Sequence, residues 1–263
     1  MKAKDLKNSI LQLAIQGKLV PQDPNDEPAS KLLEKIRAAK QKLIKEGKIK
    51  KDKQESVIYK GDDNNYYEKI GTEVRNITDE IPFEIPDSWV WCRSRDLFSA
   101  EAGLSFKKDL LSIKSPNMVR ILRGGNIEDN SYSFYDNDLF ISREFVKKDI
   151  YLRKNWLITP AVTSIEQIGK IARITRDYSD VVVGGFVLNI IPYYSDDTLS
   201  KILLNFMLSS YYNQALKGIT HKSGQAFYNL SKDKMGNLLF PLPPIQEQQR
   251  IVKKIEQLFK TLS

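Results

Sequence analysis

The chain has 263 residues, 41% of them hydrophobic and 10% aromatic, which suffices for one large core or a core with an extension. It carries a formal net charge of +8, one cysteine (Cys92) and one histidine (His221). An internal disulfide is thereby excluded, a zinc site built from Cys and His is argued against, and the basic excess favours an acidic partner, nucleic acid first. Near-absence of cysteine fits a reducing compartment, so a cytoplasmic protein is expected.

The N-terminal stretch "MKAKDLKNSILQLAIQGKLV" has its apolar run interrupted by Asn8, Gln12 and Gln16, which marks an amphipathic helix rather than a leader. Leu6, Ile10 and Leu13 share one face of a helix expected over 6–19, with Gly17 near its end. A polar, proline-rich turn covers 20–30, and Ser30 is placed to cap a second helix. In that helix Leu32, Ile36, Ala39 and Leu43 follow at coiled-coil spacing up to Gly47. Residues 31–60 hold eleven Lys/Arg against four Asp/Glu, either a solvated helix face and linker or a contribution to nucleic-acid binding, which charge alone does not establish. Residues 48–81 turn from basic to acidic without a clear period and predict a linker between residues 1–47 and a globular domain.

That domain is expected over 82–240. Pro82 and Pro86 hold the approach extended, and Trp89–Trp91 reads as a strand. Further strands are expected at 118–122, 138–141, 156–159, 168–175 and 181–191, and a helix at 198–217 stopped by Gly218. After a short helix from Ser231 and a strand at "LLF", "PLPPIQEQQRIVKKIEQLF" (241–259) opens a last helix behind Pro244, within a C-terminal helical region 241–263. Its stripe of Val252, Ile255 and Phe259 needs a partner. The N-terminal helices are the expected one, in the same chain or in a second copy. The fold class is thus α+β: one mixed globular domain flanked by helical, coiled-coil-like arms. No stretch is long and apolar enough to span a membrane.

No complete catalytic motif is present. Pro86-Asp87 supplies the first half of a PD…(D/E)xK nuclease signature, but no later Asp or Glu is followed two residues on by Lys. The cofactor loop and the (D/N/S)PP(Y/F) motif of an adenine methyltransferase are missing, as is a phosphate-binding GxxxxGK(S/T) loop. A lone histidine seldom makes a triad. The expectation is a binding protein without catalytic residue, metal or cofactor. Four polar or basic loops carry side chains able to address a duplex: Lys107 and Lys108; Arg120, Arg123 and Asn126; Thr163, Ser164 and Gln167; His221, Lys222, Ser223 and Gln225. Arg and Lys reach guanine O6 and N7, Asn and Gln pair with adenine, and Ser and Thr serve phosphate or base.

Read together, the two ends become specific. "LKNSILQLAIQGKLVPQDPNDEPASKLLEKI" (6–36) and "PLPPIQEQQRIVKKIEQLF" resemble the conserved regions of type I restriction–modification specificity subunits. The landmarks "IPFEIPDSWVW", "ILRGGNI" and "HKSGQAFYNLSKDKMGNLLFPLPP" resemble one of that family's target recognition domains. The resemblance implies a non-catalytic subunit. It would read one half of an interrupted site in double-stranded DNA and hold methyltransferase subunits, and through them restriction subunits. Full members carry two recognition domains and this chain one, so a homodimer is expected, joined through Leu6, Ile10, Leu13, Leu32, Ile36, Leu43, Val252, Ile255 and Phe259. Two other readings stay open: a silent half-subunit that never assembles, and a stand-alone regulator or nuclease using the same domain.

Overall fold

A computed structural model describes residues 3–51, 55–223 and 226–262, the side chain of Lys148 apart. Its α-helices are α1 (Ala3–Ile15), α2 (Ala29–Lys45), α3 (Asp197–Met207), α4 (Ser210–Gly218), α5 (Lys232–Gly236) and α6 (Ile245–Lys260). The chain divides into two compact units, Met1–Phe98 with Gly236–Ser263, and Ser99–Met235.

In the first unit, α1 buries Ile10, Leu11, Ala14 and Ile15. Gly17 ends it at φ +69°, where the Lys18 N–H reaches back to the Leu13 carbonyl at 2.9 Å. A Cβ at Gly17 would lie 2.5 Å from Pro86 Cγ, so both the backbone angle and the space demand glycine. Helix α2 starts behind Pro28, and Ser30, the expected cap, lies inside it; the Ala29 N–H donates to the Ser88 carbonyl at 2.9 Å instead. Its buried face holds Leu32, Leu33 and Ile36, while Leu43 is only half-buried.

Helix α6 packs against α1 in the same chain, with the Lys7 ammonium 5.4 Å from the centre of the Phe259 ring. It buries Ile251, Val252 and Ile255, each worth roughly 1.5–3 kcal/mol before entropy. The apolar stripe therefore finds its cover within its own unit. Leu6 and Leu13 stay 37% and 43% exposed. Two polar clasps fix the register of α6. Glu247, fully buried, accepts from Trp89 Nε1 at 2.8 Å and Gln22 Nε2 at 2.6 Å. Arg250 holds Asp26 with bonds of 3.1 and 2.5 Å. Burial pushes the Glu247 carboxyl up, against the pull of these hydrogen bonds.

The stretch expected as a linker holds an antiparallel sheet of strands Ser56–Lys60, Tyr66–Ile70 and Glu73–Asn76. Its buried face centres on a charge, which hides the alternation a strand normally shows. Glu68 accepts from Arg93 (2.9 and 2.7 Å), from Arg75 (3.1 and 2.6 Å) and from Ser56 Oγ at 2.7 Å. Tyr66 and Ile77 cluster with Trp91 and Leu239, the last two on strands Val90–Arg93 and Leu239–Leu242, which pair antiparallel.

The second unit stacks two four-stranded sheets. One has the order 181–183, 118–122, 139–142, 111–112, the first pair parallel and the rest antiparallel. Both its faces are buried: Val119, Ile121 and Val182 face one cluster, Leu122, Val181 and Val183 another. The other sheet has the order 172–173, 157–160, 187–192, 98–102. A small third sheet joins Val162–Thr163 to the hairpin Thr220–Ser223/Phe227–Leu230. The helix expected over 198–217 is two, because Ser209 caps α4. Its hydroxyl donates to the Phe206 carbonyl at 2.6 Å and accepts from the Tyr212 N–H at 3.3 Å. The architecture is α+β, with a sheet-rich unit and helices.

Burial alone would raise the Glu68 carboxyl, but hydrogen bonds from Arg93, Ser56 and Arg75 outweigh it and bring it down to about 2. A depressed folded-state pKa stabilises fully above the ordinary value of about 4.5, and the stability is lost as pH falls towards 2. Glu68→Gln should therefore cost about 3 kcal/mol at neutral pH, by stranding Arg93 and Arg75. The gap between wild type and variant should close as pH drops from about 4.5 to about 2. Urea unfolding at several pH values checks this; a gap independent of pH in that window contradicts it.

Candidate nucleic-acid interface

Four loops far apart in sequence meet on one face of the second unit. They line an open groove of about 1050 Å³, among whose walls are Lys108, Arg123, Thr163, Gln167, Lys170 and Phe186. The groove is built by backbone bonding. The strand ending at Leu122 accepts the Gly184 N–H at 2.8 Å, and the Leu104 N–H reaches the Val183 carbonyl at 2.8 Å. The Phe186 carbonyl accepts from Ala161 at 2.8 Å and Val162 at 3.3 Å, and the Ala161 carbonyl accepts from Leu230 at 2.8 Å. Val162 and Thr163 pair with Asn229 and Tyr228, and Tyr228 pairs with Lys222. A continuous hydrogen-bonded strip thus runs from the groove wall to the hairpin.

The expected DNA-contacting residues divide along this strip. Lys108, Arg123, Thr163 and Gln167 line the groove together. Lys107 is exposed next to Lys108. Ser164 is half-buried, and its bond to Glu166 holds that carboxyl below its usual range. His221, Lys222 and Ser223 are exposed on the hairpin, two strands from Thr163, with His221 Nε2 3.4 Å from Asn229 Nδ2. Gln225 lies outside the described residues.

Arg120 and Asn126 belong to the scaffold beneath. Asn126 is buried: its Oδ1 accepts from the Arg123 N–H at 2.8 Å, while its Nδ2 donates to the Ser133 carbonyl at 3.0 Å and to Asp138 at 2.6 Å. Arg120 pairs with the buried Asp138 and lies over the rings of Phe134 and Phe140, 4.7 and 4.9 Å from their centres. Burial would raise the Asp138 carboxyl, but bonds from Asn126, the Tyr135 N–H and Arg120 outweigh it and lower it. This cluster holds the loop that presents Arg123, which is itself exposed and bonded only weakly, to the Asn137 carbonyl at 3.2 Å.

Sequence reasoning missed Lys170 and Phe186. Lys170 lies within 168–175, expected as one strand, but Gly169 turns the chain at φ +93° and only Ala172–Arg173 pairs there. Its ammonium meets Glu128 at 2.5 Å, so it is a neutralised wall. Phe186 follows Gly184-Gly185, a break inside "VVVGGFVLNII" that was the available signal. Chemically, the groove offers cations, a carboxylate, amide and hydroxyl groups and one exposed ring. Among the described residues, no group of three or more His, Cys, Asp or Glu is placed to hold a metal ion, and no helix is long and apolar enough to cross a membrane.

The chain is 32% identical over 262 residues to the type I restriction enzyme EcoAI specificity subunit of Escherichia coli, covering 97% of this chain and 40% of the relative. It is 27% identical over 259 residues to the type I restriction enzyme EcoEI specificity subunit of the same organism, with the same coverage. The chain thus spans about two fifths of the length of these relatives. Among solved structures, a chain from work on complex assembly and conformational transition of the type I R-M system superposes with a TM-score of 0.51. That match has 17% identity, covers 69% of this chain and 40% of the other, and bears on the fold alone. The sequence model described as "Type I restriction modification DNA specificity domain" matches residues 86–263, two thirds of the chain, and the chain belongs to that family.

Proposed function

We propose that this chain is a non-catalytic specificity subunit of a type I restriction–modification system. It reads one half of a DNA site and docks methyltransferase subunits, and through them restriction subunits. The observation that carries the reading is the convergence of Lys108, Arg123, Thr163 and Gln167, from three distant loops, on one groove. The exposed His221, Lys222 and Ser223 extend the same strip. The relatives' names support it over a silent cassette product or a stand-alone nuclease, since both are specificity subunits matched along 97% of this chain. Under this reading residues 82–240 act as the target recognition domain. The helices of 1–47 and 241–263 act as the conserved regions, their coiled-coil-like faces taking up partners.

Binding in the groove should be electrostatic in strength and local in specificity. The logarithm of the association constant should fall linearly with that of the salt concentration. Lys108→Ala should reduce that slope by about one. Arg123→Ala should cost about 1–3 kcal/mol on the selected duplex and less on a random one. Because both side chains are exposed, the thermal midpoint should not move. Fluorescence anisotropy across a salt series, with and without methyltransferase, checks this; affinity indifferent to salt and to both substitutions would remove the groove from the reading.

Assembly follows from what the helices leave uncovered. Ile10, Leu32, Ile36, Val252 and Ile255 are buried in their own unit, so they cannot also hold a second copy without unfolding it. Leu6 and Leu13, one heptad apart on α1, remain exposed and are the better seam for a two-fold dimer. Two identical readers would then address an interrupted palindrome. Leu6→Asp with Leu13→Asp should convert a dimer to a monomer in light scattering and leave the thermal midpoint in place, whereas Val252→Asp should lower the midpoint. A wild type that is monomeric at high micromolar concentration, with methyltransferase absent and present, rules the dimer out.

A further inference from the structure

The side chain of Phe186, unlike its backbone, has no role in the scaffold. Its side chain is 70% exposed, while the apolar residues on either side of it in "VVVGGFVLNI" (181–190) are buried. Its backbone is nevertheless fixed. The carbonyl accepts the two N–H groups of Ala161 and Val162, and the Val187 N–H closes a turn onto the Gly184 carbonyl at 2.9 Å. A lone exposed apolar side chain is ordinary on a protein surface. A ring on a rigid mount, on the wall of a groove it shares with Arg123, Thr163 and Gln167, is not. Those three neighbours carry the groups that hydrogen-bond base edges, and of the two rings lining the groove Phe106 is half-buried and Phe186 exposed.

Along its major-groove base edges a duplex offers such a ring a single match. The major-groove edges of the four base pairs present hydrogen-bond donors and acceptors, with one apolar exception, the C5 methyl group of thymine. We propose that Phe186 is a specificity-determining residue that packs on the C5 methyl of one thymine, so that one position of the recognised half-site requires a 5-methylpyrimidine. This rests on the DNA-reading role proposed above. The ring lines a concave groove, which suits contact with a base edge brought into it. A wedge driven between base pairs would have to unstack them.

The test uses the full chain assembled with the methyltransferase subunits of its system. A site is selected from randomised duplexes, then resynthesised with each thymine in turn replaced by deoxyuridine, which keeps the pairing edge and lacks only the methyl. At one position the wild type should bind the deoxyuridine duplex roughly fourfold more weakly, the loss expected for one buried methyl group. Phe186→Ala should bind both duplexes equally, at about the strength the wild type shows for the deoxyuridine one, and Phe186→Leu should restore the preference. The proposal is overturned if no position is sensitive or if the deoxyuridine effect persists in Phe186→Ala. A loss in Phe186→Ala that is uniform across sequences and accompanied by reduced DNA bending in energy transfer also overturns it, in favour of a wedge. A wild-type complex that selects no sequence at all fails the DNA-reading role itself, a different result from a selective complex blind to the methyl group.

Discussion

Ala161 is the joint on which the second unit's surface depends. Its N–H donates to the Phe186 carbonyl and its own carbonyl accepts from Leu230, while Val162 beside it shares the Phe186 acceptor. Three segments that diverge widely in sequence are thereby locked within a residue of one another. Each such bond contributes only about 1 kcal/mol net, yet leaving a buried donor or acceptor unmade costs more. The arrangement is therefore all or none: the groove wall, the Thr163 strand and the 220–230 hairpin hold their places together. Side chains projecting from this strip can differ without disturbing it, because the bonds are made by backbone alone.

Net charge is a poor map of where such a surface lies. Many of the cations are spent internally. Arg93 and Arg75 neutralise Glu68, Arg120 neutralises Asp138, and Lys170 meets Glu128. Under the proposed function, phosphate attraction falls instead to the exposed cations Lys108 and Arg123 of the groove and to Lys107 and Lys222 outside it. The same distinction separates Asn126 from Gln167. Both have amides suited to adenine, but the Asn126 amide is consumed by Arg123, Ser133 and Asp138.

How much of this was legible follows from what each signal measures. Periodicity found the helices, because burial on one face of α1, α2 and α6 repeats at helical spacing, and it located the strand 118–122 to the residue. It failed over 56–76, where the buried face contains Glu68 and the alternation of apolar and polar residues breaks down. The turns there were readable all the same, in "GDDNN" and in Gly71. It failed again at 168–175, where one glycine in a left-handed conformation ends a strand that its apolar neighbours would continue. Spacing along a helix could name the stripe of α6 but could not say that Glu247 and Arg250, polar residues of the same helix, fix where it sits. The groove itself was only half visible, since loop composition marks which segments are polar but not which of them share a wall.

Scaffold and presented surface are separated at the level of single loops. In the segment 120–126, Arg120 and Asn126 face inward onto Asp138 and the Phe134 and Phe140 rings, and Arg123 between them faces out. Desolvation makes the buried carboxylate costly unless every one of its bonds is made, so the inward pair can change only together with Asp138. The outward residue carries no such debt. The same division recurs at Phe186, whose carbonyl is a scaffold acceptor and whose ring is free. A surface built this way can exchange the chemistry it presents to a base edge one side chain at a time while its backbone, and hence the spacing of its contacts, stays constant. That property follows from where the hydrogen bonds are made, and it is what a protein that must distinguish one DNA sequence from another requires of its fold.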